Sequence, residues 1–479
     1  MTRASITCRC IRDSMTTCHP LQRGLRSKPG RYPSSLAAWI LFTHALLTVC
    51  LPVGAADARD AYGGWPGVRG RATGFFHTEQ IEGVWWLITP DGGGFFSKGV
   101  NHVQYNGDFS PKLGHSPYSR VVSAKYGSAS KWAEASVARM RGWGLNTVGA
   151  WSSPETYAQR MPYAFLAGLG EGAGAEWQFG KLADVFSPRF ADAVRQKAKR
   201  VCAPRAQDLF LLGYFTDNEL RWGPDWRSKK SLFEEFLGES EDKAGKQAVV
   251  RLLRAGHATV EAFNQAWGTT LTSFDELPKL TALPMTNAAA KTARSEFLRD
   301  YARTYFKTCR EAIKAADPNH LVLGCRFAGY APAEVVEAMA EFVDVVSYNN
   351  YSFSPPVEAL TKLHAATGKP VMLTEFSFKA TDSGLPNTKG AGRALATQQD
   401  RADYFDRYVT GLAQLPFVVG YHWFEYADEP AEGRFDGENS NYGLVNIKDE
   451  PWTVLVKRFQ SVNERLEETH RTSAKGPAR

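Results

Sequence analysis

The sequence predicts an α/β fold, a (β/α)8 TIM barrel with an N-terminal β-hairpin and a long helical insertion after strand four. Three observations predict it. Short apolar runs rich in β-branched and aromatic residues alternate with stretches of helical spacing, the pattern of βαβ units and a parallel sheet. Eight such runs follow residue 94. Two of them close on a glutamate, Glu219 and Glu375, and in parallel barrels the functional side chains stand at the C-terminal ends of the strands.

Residues 1–55 read as a leader rather than part of the fold. Arg23, Arg26, Lys28 and Arg31 precede an apolar run over 36–53, and small residues follow, the order of a secretory signal. Export, to the periplasm or beyond, is the expectation. A retained membrane anchor is the alternative, because the run approaches the roughly 20 residues that span a bilayer. Residues 56–94 are expected to form the hairpin, with β-rich runs at 73–77 and 84–88 and a turn at Pro90 to Gly94. The barrel is expected over 95–469, with strands at 95–100, 145–150, 163–169, 209–215, 320–325, 343–348, 370–375 and 417–423. Helical spacing is found at 129–141, 190–201, 331–341, 357–366, 397–414 and 452–468. Between strands four and five lie about a hundred residues, too many for a structureless loop in a compact domain. They are read as a helical insertion over 220–300, placed across the barrel mouth, with one long helix from about 287 to 315. Residues 470–479 read as a disordered tail.

With 479 residues, 43% hydrophobic and 12% aromatic, the chain has enough apolar surface for a large core. Six of its seven net positive charges fall in the first 55 residues. The folded part is thus close to neutral and shows no basic stripe, which excludes nucleic acid as a partner. Four of the seven cysteines (Cys8, Cys10, Cys18 and Cys50) lie in the leader. Cys202, Cys309 and Cys325 are too sparse for a disulfide framework and lack metal-ligand spacing. No phosphate loop, dinucleotide fingerprint, His-Glu-x-x-His or Gly-x-Ser-x-Gly motif is found, so no cofactor and no metal are expected.

Cleaving a glycosidic bond takes one group to protonate the leaving oxygen and another to stabilise or trap the positive sugar carbon, and two carboxylates supply both. Glu219 follows Asn218 at the end of strand four, and Glu375 ends strand seven. Strand four faces strand seven across a barrel mouth, so a sugar would lie between them. A separation of about 5–5.5 Å would make Glu375 the nucleophile of a retaining reaction, with Glu219 carrying the proton it gives to the leaving oxygen.

Residues 95–102 (Phe-Phe-Ser-Lys-Gly-Val-Asn-His), 213–220 (Gly-Tyr-Phe-Thr-Asp-Asn-Glu-Leu), 420–424 (Gly-Tyr-His-Trp-Phe) and 433–443 carry a resemblance. On these the chain resembles the clan A glycoside hydrolases, and within them the family 50 β-agarases. Residues 264–269 (Asn-Gln-Ala-Trp-Gly-Thr) are also similar to family 42 β-galactosidases. The resemblance implies that Glu219 is the acid/base, Glu375 the nucleophile and Asn218 a partner for the sugar 2-hydroxyl. It also implies that Tyr348 hydrogen-bonds the nucleophile and that Trp423 forms the platform under the sugar. Beside it, Asn101, His102 and Trp151, after strands one and two, are candidates for hydroxyl or stacking contacts. Arg326 and Glu425 either bind sugar hydroxyls or pair with other charges, and the loop with Arg434, Glu438, Asn439 and Asn441 is polar. The expected activity is a retaining β-glycosidase acting on a β-galactose-containing poly- or oligosaccharide. A β-mannosidase, a β-glucosidase or an inactive carbohydrate-binding barrel are the alternatives.

Overall fold

Parallel strands need long crossovers, because each must return to the end where the last one began. In the computed structural model, which describes residues 58–475, helices supply those crossovers. The expected leader with its four cysteines, and residues 476–479, lie outside the described residues.

Nine strand segments form one wholly parallel sheet. Its order runs Phe327–Ala328, Val346–Asn349, Val371–Phe376, Val418–Trp423, Ser97–Val100, Thr147–Val148, Tyr163–Leu166, Leu211–Phe215, Leu321–Val322. The first and last segments belong to one short stretch of chain, so the sheet curls back on itself in the manner of a TIM-like barrel. The Asp344 backbone N–H donates to Val322 O at 2.8 Å and links strand six to the first half of strand five. Strand five was expected unbroken over 320–325; it is split instead, because Gly324 and Arg326 take left-handed φ values of 80° and 53°.

Side chains from seven strands meet in one apolar cluster that includes Ala164, Leu212, Leu323, Val345, Met372 and Val419. Only the interior of a curled sheet brings so many strands to one place. Phe76, Leu87 and Phe95 join this cluster from below. Leu87 and Phe95 come from a four-stranded antiparallel sheet of Trp65–Arg69, Gly93–Phe95, Val84–Ile88 and His77–Ile81, where a hairpin alone was expected, and Phe76 directly precedes the last of these strands. The hairpin turns through Glu82 and Gly83, both at positive φ (51° and 82°), the signature of a two-residue turn whose twist matches its strands.

The long helix Ala288–Ala316 begins where the Asn287 side chain accepts the Ala290 N–H at 2.8 Å. It buries Phe297, Tyr301, Tyr305, Cys309 and Ile313, one residue per turn along a single stripe. Helices Leu232–Leu237, Ala244–Ala255 and Val260–Trp267 precede it. Phe233 and Phe236 pack on Phe297 with ring centroids 6.1 and 5.5 Å apart. Phe233 and Phe236 are therefore spent on the long helix. Residue 470, expected to open a disordered tail, is instead ordered: His470 is buried within helix Leu466–Arg471, its ring bonded to the carbonyls of Ala413 and Trp85 at 3.0 and 2.8 Å. Cys202, Cys309 and Cys325 are buried free thiols. Among the described residues no helix is long and apolar enough to cross a membrane.

Candidate active site

Four strands end in the same local device. His102, Trp151, Glu219 and Arg326 follow strands one, two, four and five at φ values of 55°, 58°, 49° and 53°. A side chain held in the left-handed region costs on the order of 1–3 kcal/mol, and such residues gather at functional sites. Here each turns the chain out of the extended direction at the rim of the sheet.

Glu219 and Glu375 converge on one amide. Asn349 Nδ2, at the end of strand six, lies 2.9 Å from Glu219 Oε1 and 3.2 Å from Glu375 Oε2. Those two bonds hold the nearest carboxylate oxygens no more than about 6 Å apart, close to the spacing of retaining pairs. Glu375 is almost wholly buried and takes two further donors, Arg326 Nη2 at 2.9 Å and the Tyr351 hydroxyl at 2.6 Å. Burial pushes its carboxyl up to about 7; Arg326 and Tyr351 pull it down, and neighbouring Glu219 pushes it up.

Glu219 accepts a second bond from the Trp177 indole, at 3.1 Å. Trp177 sits on the loop after strand three, and Asp217 holds the start of that loop by accepting the N–H groups of Gly170 and Glu171 at 2.7 and 3.0 Å. The Tyr305 hydroxyl donates to the same carboxylate. Arg227 then ties the two chains together, donating to the Trp177 and Glu219 carbonyls at 2.8 and 2.9 Å.

Two cavities of about 610 and 560 Å³ meet over this pair. Both are lined by Trp177, Gln178, Glu219, Glu375, Phe424 and Arg434. The first also holds Trp226, and the second Phe179 and Phe435. These three rings are 65%, 70% and 58% exposed, so they contribute little to the core and present apolar faces to whatever enters. Lys389, Asp436 and Glu438 add charge to the first lobe.

In the second lobe His102 bridges two carboxylates. Its Nδ1 bonds Glu425 Oε2, and its Nε2 faces Asp108 Oδ1 at 3.9 Å. Ligand atoms of these three residues lie within 4.8 Å of one another. The carboxylates nevertheless flank opposite edges of the ring, and an imidazole offers one nitrogen to an ion, so the group is a poor metal cage. Burial pushes the Glu425 carboxyl well up, with Asp108 adding to it. Burial lowers His102.

The structure brings Glu219, Glu375, Asn218, His102 and Trp151 to the cleft wall. Arg326 and Glu425 are fully buried behind it, Arg326 against Glu375 and Glu425 against His102. Three candidates stand elsewhere. Asn101 is buried between strands, donating to Thr374 O at 2.9 Å and accepting the Ala150 N–H at 3.0 Å. Tyr348 donates to Gly329 O at 2.5 Å and lines a separate cavity of about 730 Å³; the tyrosine hydroxyl on Glu375 is that of Tyr351. Trp423 is fully buried among Phe376, Phe405 and Phe459, its indole bonded to Tyr442 O at 2.8 Å; the ring at the cleft is Phe424. Side chains alternate across a strand, so a one-residue offset turns a cleft residue into a core residue. Arg434 pairs with Glu429, Asp436 and Glu438, whereas Asn439 accepts the Thr388 N–H from the segment after strand seven and Asn441 donates to Asp428 within its own loop. Sequence reasoning missed Asn349, Tyr351, Trp177, Arg227 and Phe424. For Asn349 and Tyr351 a signal existed, two polar residues at i and i+2 past an apolar run.

A family model described as the glycosyl hydrolase catalytic core matches residues 257–455. Beta-agarases B and A of Vibrio sp. (strain JT0107) are 30% and 29% identical over 85% and 86% of this chain. The chain spans about half the length of these curated relatives, 50% and 48%. The solved structure of an agarase matches at 30% identity with a TM-score of 0.76, over 86% of this chain and 68% of that one. An exo-beta-agarase structure matches at 28% identity and a TM-score of 0.77, with the same coverage. The beta-galactosidase from the psychrophilic Marinomonas ef1, 14% identical with a TM-score of 0.54 over 79% of this chain and 60% of its own, shares the fold alone. The sequence motifs at the strand ends, the curled parallel sheet that carries them and the extent of the agarase matches agree, and the chain belongs to family 50 of the clan A glycoside hydrolases.

Proposed function

We propose that this protein is a retaining β-glycosidase that hydrolyses a β-galactose-containing poly- or oligosaccharide of the agarose type. The observation that carries the reading is the convergence of Glu219 and Glu375 on the Asn349 amide, at the meeting point of two cavities. Glu375 accepts three donors, of which Arg326 and Tyr351 favour its anion against the burial that raises its carboxyl. Glu375 attacks the anomeric carbon as the bond to the leaving oxygen breaks, and Glu219 gives that oxygen its proton. Water then attacks the glycosyl ester, Glu219 takes the water's proton, and Glu375 leaves as carboxylate. His102, Asn218 and the exposed rings of Trp226, Phe179 and Phe435 bind the sugar units. The same reading takes the curled sheet as a complete (β/α)8 barrel closed by its split fifth strand, and residues 1–55 as an export signal.

The test is hydrolysis of neutral agaro-oligosaccharides by the purified chain, with proton NMR following the anomeric configuration of fresh product. Release with β retained at the cleaved bond is expected, and Glu375→Gln is expected to abolish it. Initial inversion rejects the retaining mechanism. Cleavage of β-mannosides or β-glucosides in place of the galactose series rejects the substrate class.

A further inference from the structure

We infer that Asn349 is a positioning residue, an amide clamp that holds both carboxylates at working distance and donates to whichever of them is anionic; this rests on the reading of Glu219 and Glu375 as the catalytic pair. Asn349 Nδ2 has two hydrogens and three acceptors in reach: Glu219 Oε1 at 2.9 Å, Glu375 Oε2 at 3.2 Å and Asn218 Oδ1 at 3.3 Å. Chemistry fixes the orientation of the amide. An ionised carboxylate and an amide oxygen only accept hydrogen bonds, so the reversed amide would aim its oxygen at Glu375 Oε2 and Asn218 Oδ1, both acceptors. On the other side Asn349 Oδ1 accepts the Thr374 hydroxyl at 2.8 Å. Thr374 is fully buried and adjoins Glu375 on strand seven, and its carbonyl accepts Arg326 Nη2 at 2.7 Å and Asn101 Nδ2 at 2.9 Å. The strand that carries the nucleophile therefore also orients the clamp.

The need for a clamp follows from charge. Two carboxylates this close repel when both ionise, and a donor between them lowers that cost without adding a titrating group. Over the reaction the charge also changes sides. Glu375 is the anion before attack; once it is esterified, Glu219 is the anion. One N–H donor within reach of both serves each stage without moving, which is how preorganised donors contribute to rate. Asn349 touches no reacting bond, so its effect runs through the carboxylates.

The experiment compares wild type with Asn349→Ala, Asn349→Asp and Thr374→Val on neutral agaro-oligosaccharides across pH, with circular dichroism and thermal unfolding to establish folding. Glu219→Gln and Glu375→Gln run in parallel. Asn349→Ala is expected to lower kcat about 100-fold, the scale of losing one preorganised donor. KM should stay within about threefold, and the acid limb of kcat/KM should move up by about one pH unit as anionic Glu375 loses a donor. Asn349→Asp should move the limb further, and Thr374→Val should move it less but in the same direction. An acid limb that superimposes on wild type in both Asn349→Ala and Thr374→Val, or a rise in KM alone, overturns the clamp. If Asn349→Ala does not fold, Thr374→Val decides by the same limb. Wild-type turnover in either glutamine variant would instead sink the catalytic pair itself.

Discussion

The Arg326 guanidinium donates to Glu375 at 2.9 Å from full burial, while its Nε and Nη1 meet no acceptor. Its plane lies against aromatic rings, 4.4 Å from the Trp151 centroid and 5.4 Å from that of Phe215. Guanidinium faces are weakly hydrated and stack on rings, which lets the group sit in a dry place where an ammonium would not. Glu375 is thereby the acceptor that offsets a buried cation.

Arg326→Met follows from that arrangement. Removing one partner of a buried ion pair costs about 3–5 kcal/mol, because the other charge is left uncompensated. The variant is expected to unfold at lower temperature and to lose at least about 100-fold in kcat/KM at neutral pH. Its acid limb should move to higher pH. Thermal unfolding and pH-rate profiles check both, and an unmoved limb would show that Arg326 does not set the charge of Glu375.

The wild-type pH dependence has a definite sign. In the proposed mechanism Glu375 must be ionised to attack, and burial pushes its carboxyl up to about 7. It is protonated below that value and ionised above it. Hence kcat/KM should rise with pH through neutrality, with the limb near 7 rather than in the ordinary carboxylate range of about 4–5. A limb at that ordinary value would contradict the burial described for Glu375.

Trp226 offers a test of binding separate from chemistry. Its ring is 65% exposed at the edge of the first lobe. Trp226→Ala should raise KM about tenfold through lost sugar stacking, with kcat nearly unchanged and no loss of thermal stability. A fall in unfolding temperature would instead mark the ring as structural.

Asp217 is expected to act on Glu219 from a distance. In Asp217→Asn one of the two loop N–H groups, Gly170 or Glu171, loses its acceptor. An unsatisfied buried donor costs about 1–3 kcal/mol, and Trp177 rides on the same loop. Lower stability and lower turnover are expected together. Trp177→Phe, which removes only the indole donor to Glu219, should lower turnover with stability intact.

The parallel sheet and the meeting of Glu219 with Glu375 were legible because both rest on strong local signals. A fully buried strand such as Leu211–Phe215 or Val371–Phe376 reads as a continuous apolar run, and a carboxylate at its end stands out. The errors at strands six and eight have one cause. Tyr348 and Trp423 are each adjacent to a cleft residue, Asn349 and Phe424, and a register shift between Tyr348 and Asn349 further hides which side faces inward. Sequence marks where a strand ends more readily than which face its last residue takes. Trp177 and Arg227 were beyond reach for another reason. They lie on irregular segments, and what places them is a set of hydrogen bonds to Asp217 and to backbone carbonyls distant in sequence.

Phe76, Leu87 and Phe95 stopper the lower end of the curled sheet. The inside of the sheet is thus solid with side chains, and what the two carboxylates act on has to reach them from the rim where the strands end.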